Sequence, residues 1–140
     1  MHIVFEHTTK IRVRYGETDQ MGYCYYGNYA QYFEVGRVEA MRELGMSYKS
    51  LEEMGVMLPV SEYQVKYKSP AYYDDELLVR TKIVLVKGAR IYFEYEIENE
   101  SGKRVADAST LLVFVNKETM SPMPAPTVFL EKIKPFEVQS

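Results

Sequence analysis

The chain has 140 residues, 46% apolar and 26% charged, a size and balance that suit one globular domain with a real core. A net charge of −3 and an isoelectric point near 5.5 leave no global basic field for nucleic acid. The lone Cys24 excludes an internal disulfide, and His2 and His7 lie too far from it in the chain to suggest a Cys-His nucleophile pair or a multi-histidine metal centre.

The opening stretch MHIVFEHTTK lacks the apolar run of a signal peptide, and no segment approaches the roughly 18 apolar residues of a membrane span. A soluble, cytoplasmic protein is therefore expected. TKIRVRY (9–15) alternates Ile11, Val13 and Tyr15 with Lys10, Arg12 and Arg14, the pattern of a half-buried strand. A loop over 16–27 follows, unusually rich in tyrosine and carrying Asp19 between Gly16 and Gly22. From Asn28 the spacing turns helical: Tyr29, Tyr32, Phe33, Gly36, Ala40 and Leu44 fall at steps of three and four. Asn28 with Gln31 resembles a capping box, and Gly45 is a natural stop. SYKSLEEM (47–54) reads as a short helix with its own serine cap, ending at Gly55.

Strands dominate after Gly55: 56–68, 76–87, 90–99 and 103–116. In the third, Ile91, Phe93, Tyr95 and Ile97 share one face, opposite Tyr92, Glu94, Glu96 and Glu98. The tail carries Pro122, Pro124, Pro126 and Pro135, leaving room for at most a short helix at 127–134. The order β–α–β–β–β–β predicts an α+β fold in which a five-stranded antiparallel sheet wraps a long central helix. One helix cannot cover such a sheet and both its edges, so self-association is expected.

The stretch YGETDQMGYCYYGNYAQYFEVGR, with YDD at 73–75, resembles the hotdog-fold acyl-CoA thioesterases of the 4-hydroxybenzoyl-CoA thioesterase family, and the likeness runs from about Lys10 to Asn116. The resemblance implies a single hotdog domain over 1–140, assembled as a homodimer or homotetramer with active sites at subunit interfaces. It implies hydrolysis of acyl-CoA, or of an acyl-carrier-protein thioester, without metal or cofactor. Asp19 matches the catalytic carboxylate and Tyr26 the position whose backbone N–H holds the thioester carbonyl. Many bacterial relatives carry histidine where this chain has Tyr26. Substrate contacts are expected from Tyr25, Gly27, Asn28 and Tyr29, and Lys87 and Arg90 match the position that holds the nucleotide phosphates of coenzyme A. Lys66 and Lys68 are weaker candidates for phosphate or pantetheine, and Met57 for an apolar wall.

Elementary chemistry supports that assignment. Thioester hydrolysis needs an activated water or a nucleophile, and stabilisation of charge on the carbonyl oxygen. A helix N-terminus offers unpaired N–H groups and partial positive charge, and a carboxylate on the preceding loop can reach the same carbonyl. Asp19 has two open roles, as general base on water or as attacking group forming a mixed anhydride. It has a plain structural reading too, as a turn residue. Glu17 and Glu34 are rival carboxylates, with Glu34 more simply an ion-pair partner of Arg37 one turn on. Cys24 reads as a small apolar filler. The alternatives to a thioesterase are a non-catalytic acyl-CoA or acyl-carrier binding module and, less favoured for want of a histidine in the helix, a hotdog hydratase or dehydratase.

Overall fold

The protein is described by a computed structural model covering residues 1–139. Strand β1 (His2–Arg12) leads through single 3-10 turns at Tyr15–Glu17 and Tyr26–Asn28 into the long helix α1 (Tyr29–Leu44). Then come α2 (Tyr48–Glu53), β2 (Val56–Met57), β3 (Val60–Tyr67), β4 (Glu76–Lys87), β5 (Arg90–Glu98), β6 (Arg104–Val113), β7 (Val115–Asn116) and α3 (Thr127–Ile133). Five strands form one antiparallel sheet in the order β1-β4-β5-β6-β3, while β2 and β7 pair as a separate ribbon. This is the α+β hotdog arrangement expected, with α1 lying in the wrap of the sheet.

Alternation drives the burial. Ile91, Phe93, Tyr95 and Ile97 are fully buried on the inner face of β5, where Phe33 of α1 meets Tyr95 at 4.9 Å between ring centroids. On the outer face Glu96 takes ion pairs from Lys82 at 2.9 Å, Arg80 at 3.1 Å and Arg104 at 3.2 Å, so charge rather than packing fills that side. Helix α1 buries Tyr29, Tyr32, Phe33, Gly36, Arg37, Ala40, Met41 and Leu44, one stripe at helical spacing. It ends at Gly45, whose φ of 90° suits glycine. Ser47 caps α2 by accepting from the Ser50 N–H at 3.1 Å. Phe129 and Ile133 of α3 are completely buried and close one end of the core, with Phe129 5.2 Å from Phe114.

Four local expectations are corrected. The first strand begins at His2 and stops at Arg12, because Ile3 and Phe5 also pack inward; Tyr15 stands 77% exposed in the following turn. The strand expected over 56–68 is broken at Leu58–Pro59, where proline has no N–H to offer, and only its second part joins the main sheet. Asn28 forms no capping box; its amide donates instead to the Glu17 carbonyl at 2.8 Å, and a 3-10 turn leads into the helix. Arg37 does not pair with Glu34. It lies on the stripe between Phe33 and Met41 and so points inward, donating to Tyr48 Oη at 2.9 Å and Tyr95 Oη at 3.0 Å.

Helix and sheet approach most closely at Gly36. A Cβ there would stand 2.5 Å from Thr81 Oγ1 and 2.8 Å from Val79 Cγ1. Gly36→Ala therefore overpacks the joint, and that cost outweighs the propensity gain of about 1 kcal/mol. The variant should unfold in urea with a loss of about 1–2 kcal/mol. Adding Thr81→Ala, which removes the nearest atom and a buried hydroxyl without a partner, should recover part of that loss. A Gly36→Ala protein as stable as wild type would show that α1 can shift off the sheet.

Candidate active site

The loop from Val13 to Asn28 is bound to the body of the fold at both ends. Val13 exchanges backbone hydrogen bonds with Asp74 and Asp75, and the Cys24 N–H donates to the Ala71 carbonyl at 2.7 Å. Between these ties sits Glu17, 8% exposed. Its Oε1 accepts from the Arg14 N–H at 2.9 Å and from Tyr32 Oη of α1 at 2.8 Å, and its Oε2 accepts from the Arg14 guanidinium at 2.9 and 3.2 Å. Its backbone carbonyl accepts from the Tyr25 N–H at 2.8 Å as well as from Asn28. One residue thus closes the loop on itself and fastens it to the helix.

Asp19 occupies the tip of this loop. Its Oδ1 accepts from the Met21 N–H at 2.9 Å, and its backbone exchanges bonds with Gly22 and Tyr23. Asp19 is therefore a turn residue, as the bland reading held, yet the turn uses only one carboxylate oxygen; Oδ2 has no partner among the described residues. At the entry to α1, the 3-10 turn satisfies Asn28 N–H through the Tyr25 carbonyl and Tyr29 N–H through the Tyr26 carbonyl. The N–H groups of Tyr26 and Gly27 have no acceptor among the described residues. A side chain at 27 would collide with the Tyr25 ring, since a Cβ would lie 2.6 Å from Tyr25 Cε2. Glycine lets that ring fold back over the turn.

Asp19, Tyr25, Tyr26 and Tyr29 line one cleft of about 480 Å³, whose far wall is Tyr67, Lys68 and Ser69 at the end of β3. Tyr67 meets Tyr29 at 5.4 Å and Tyr26 at 6.2 Å, both edge to face. Cys24 also reaches the wall, 3% exposed, with its Sγ 3.4 Å from Tyr32 Oη. Burial pushes the Cys24 thiol up, so it stays protonated at neutral pH and serves as a filler. Burial likewise raises the phenols of Tyr29 and Tyr32, which act as neutral hydrogen-bonding walls.

The other expected site residues lie elsewhere in this chain. Asn28 spends its amide on Glu17, inside the turn. Met57 is half-buried in the β2–β7 ribbon opposite Val115. Lys66 faces a hollow on the outer side of the sheet with Arg104 and Asp107. Lys87 and Arg90 flank the β4–β5 hairpin, in a separate hollow with Ser61. That hairpin is a whole strand length, about 36 Å, from the Glu76 end of β4 beside the loop. Tyr67 went unnoticed as a cleft residue because it reads only as a spacer between two lysines. Tyr32 and Glu17 are 15 residues apart, with no periodicity to link them.

The sequence profile of the thioesterase-like superfamily matches residues 13–133. Among relatives, the Bacillus subtilis protein YneP, named as a candidate acyl-CoA thioesterase, is 37% identical over 81% of this chain and 83% of its own length. The acyl-CoA thioesterase YbgC of Haemophilus influenzae is 32% identical over 83% of this chain and 85% of its own. Among solved structures, a DHNA-CoA thioesterase from Staphylococcus aureus superimposes with a TM-score of 0.83 at 35% identity, covering 94% of this chain and 85% of that one.

The Glu17 carboxyl feels two opposed effects. Burial raises its pKa, and the hydrogen bonds from the Arg14 amide, the guanidinium and Tyr32 together lower it by more, leaving it below the ordinary 4.5. A depressed folded-state value means that ionised Glu17 stabilises the fold above the unfolded pKa. That contribution is lost as pH falls from about 4.5 through the folded value. Urea titrations should show wild-type stability falling over this acid window. Glu17→Gln should be less stable at pH 7 by about 1–3 kcal/mol and flatter below pH 4.5. Parallel curves for the two proteins would refute the assignment.

Proposed function

The chain belongs to the thioesterase-like superfamily, and from that premise we propose that it hydrolyses acyl-CoA thioesters to free acid and coenzyme A, with Asp19 and the Tyr26–Gly27 turn as the reacting groups. One observation carries the reading: a carboxylate with an unused oxygen and Tyr26, whose N–H has no acceptor among the described residues, line the same tyrosine-walled cleft, with Gly27 next in the turn. A thioester carbonyl seated against the turn would place its oxygen at those N–H groups, where charge develops. Water attacks the carbonyl carbon and its proton passes to Asp19. The tetrahedral species then collapses by breaking the C–S bond, and the departing thiolate takes up the proton. In the covalent variant Asp19 itself attacks, the C–S bond breaks with departure of the coenzyme A thiolate, and water cleaves the resulting anhydride to free acid and the Asp19 carboxylate. Lys68, at the rim and paired only loosely with Asp107 at 4.0 Å, is placed to meet the pantetheine or phosphate portion.

Asp19→Asn keeps an oxygen for the Met21 N–H, so the turn should persist while the carboxylate chemistry goes. Thiol release from short, long and aromatic acyl-CoA esters should fall by about 100-fold or more at unchanged thermal stability. Wild-type rates in the variant would sink the reading, and no release by wild type from any ester would shift attention to carrier-protein thioesters.

The remaining expected contacts fit a homodimer. β3 is an edge strand, with Val60, Tyr63 and Tyr67 each 40–49% exposed. Edge-to-edge antiparallel pairing of β3 with its copy would lay the Val60 end of one strand beside the Tyr67 end of the other. Because Ser61 shares a hollow with Lys87 and Arg90, that pairing carries the partner's Lys87 and Arg90 toward this chain's cleft, where the phosphates of coenzyme A would extend. Sedimentation should give a dimer or a multiple of it. Val60→Lys with Gln64→Lys, placing like charges along the joined edges, should yield monomers and reduce hydrolysis. A variant that still sediments as wild type would rule out this edge.

A further inference from the structure

We propose that Glu17 is the positioning residue of this centre, holding the Asp19 carboxylate in register with the Tyr26–Gly27 N–H pair. The inference rests on the reading of those groups as the reacting ones. Asp19 stands on irregular chain and the N–H pair on the single 3-10 turn before α1, so no shared strand or helix fixes their separation. Asp19 follows Glu17 by two residues. The free N–H pair lies between Tyr25 and Asn28, and both of these donate to the Glu17 carbonyl, at 2.8 Å each. The carboxylate of the same residue takes the Tyr32 hydroxyl of α1 at 2.8 Å, tying the assembly to the first turn of the helix. The remaining donor is Arg14, which opens the loop. Every donor to Glu17 thus comes from the loop that bears Asp19, from the turn that bears the N–H pair, or from the helix behind them. None comes from the sheet. A brace for the fold as a whole would reach the sheet; this one ties the two halves of the site to each other and to the helix behind them.

A displacement of about 1 Å between reacting groups costs on the order of 100-fold in rate, so loss of the brace should appear in kcat. The test measures kcat and KM for acyl-CoA hydrolysis by Glu17→Ala, Glu17→Gln and Tyr32→Phe at a temperature where circular dichroism shows each fully folded. Glu17→Ala should lose about 100-fold in kcat with KM within about threefold of wild type. Glu17→Gln, which keeps an oxygen for Tyr32 and the Arg14 amide, should recover most of that loss. Tyr32→Phe, volume-conserving and able to decide the matter if Glu17→Ala does not fold, should lose about 10-fold in kcat at unchanged KM. Values of kcat within threefold of wild type in Tyr32→Phe and the folded Glu17 variants, or a change confined to KM, would overturn the proposal. Asp19→Asn assayed alongside separates the two levels. Activity lost there but kept in the Glu17 variants refutes the positioning role alone, whereas activity kept in Asp19→Asn refutes the reading beneath it.

Discussion

A carboxylate taken out of water must have its oxygens satisfied, and that demand at Glu17 shapes the whole approach to the long helix. An ionised group in that position requires a cation, an amide and a hydroxyl within about 3 Å, and Arg14, its N–H and Tyr32 supply them. Once those bonds are made, the chain between Arg14 and Asn28 has little freedom left. Asp19 falls at the tip of the loop, and Tyr26, in the turn before α1, lines the same cleft. One wall of the cleft is thus held by the bonds to one buried acid.

The many tyrosines perform two jobs that phenylalanine could not combine. In the cleft, Tyr26, Tyr29 and Tyr67 give an aromatic wall whose rings meet edge to face. In the core, phenol oxygens take over from carboxylates. The buried Arg37 has no acidic partner among the described residues, and its guanidinium donates to Tyr48 and Tyr95, the latter also bonded to Thr110 at 2.6 Å. Burial alone would weaken that cation, and the surrounding phenols more than offset it, so Arg37 stays charged.

Much of the fold was legible because its signals are periodic. The inward face of β5 could be read residue by residue, that of α1 in all but Arg37 and Met41, and β4 was bounded correctly, since each rests on a repeat of 3.6 or 2 that burial enforces. The early start of β1 was not, because it depends on pairing with β4, and the break at Pro59 was passed over although proline itself signals it. The site divides the same way. Asp19 and the tyrosines of the loop stand close in sequence and emerged from motif and composition. Tyr67 and the bond between Glu17 and Tyr32 are products of tertiary closure. Lys87 and Arg90 matched a family position, yet in one chain they lie a strand length from the cleft, a fact that only the sheet order exposes.

That sheet order has a consequence for how the protein is made. Within the sheet β1 pairs with β4, and β3 with β6, so each N-terminal strand finds its neighbour in the second half of the chain. The meander β4–β5–β6, by contrast, is built from adjacent hairpins with short loops. During synthesis the first 70 residues leave the ribosome with strands that have nothing to pair with and a helix that has no sheet to lie on. The C-terminal meander supplies the sheet neighbours of both strands, which gives the chain a high contact order. Nascent N-terminal strands are therefore the segments most exposed to chaperones and to mispairing between chains.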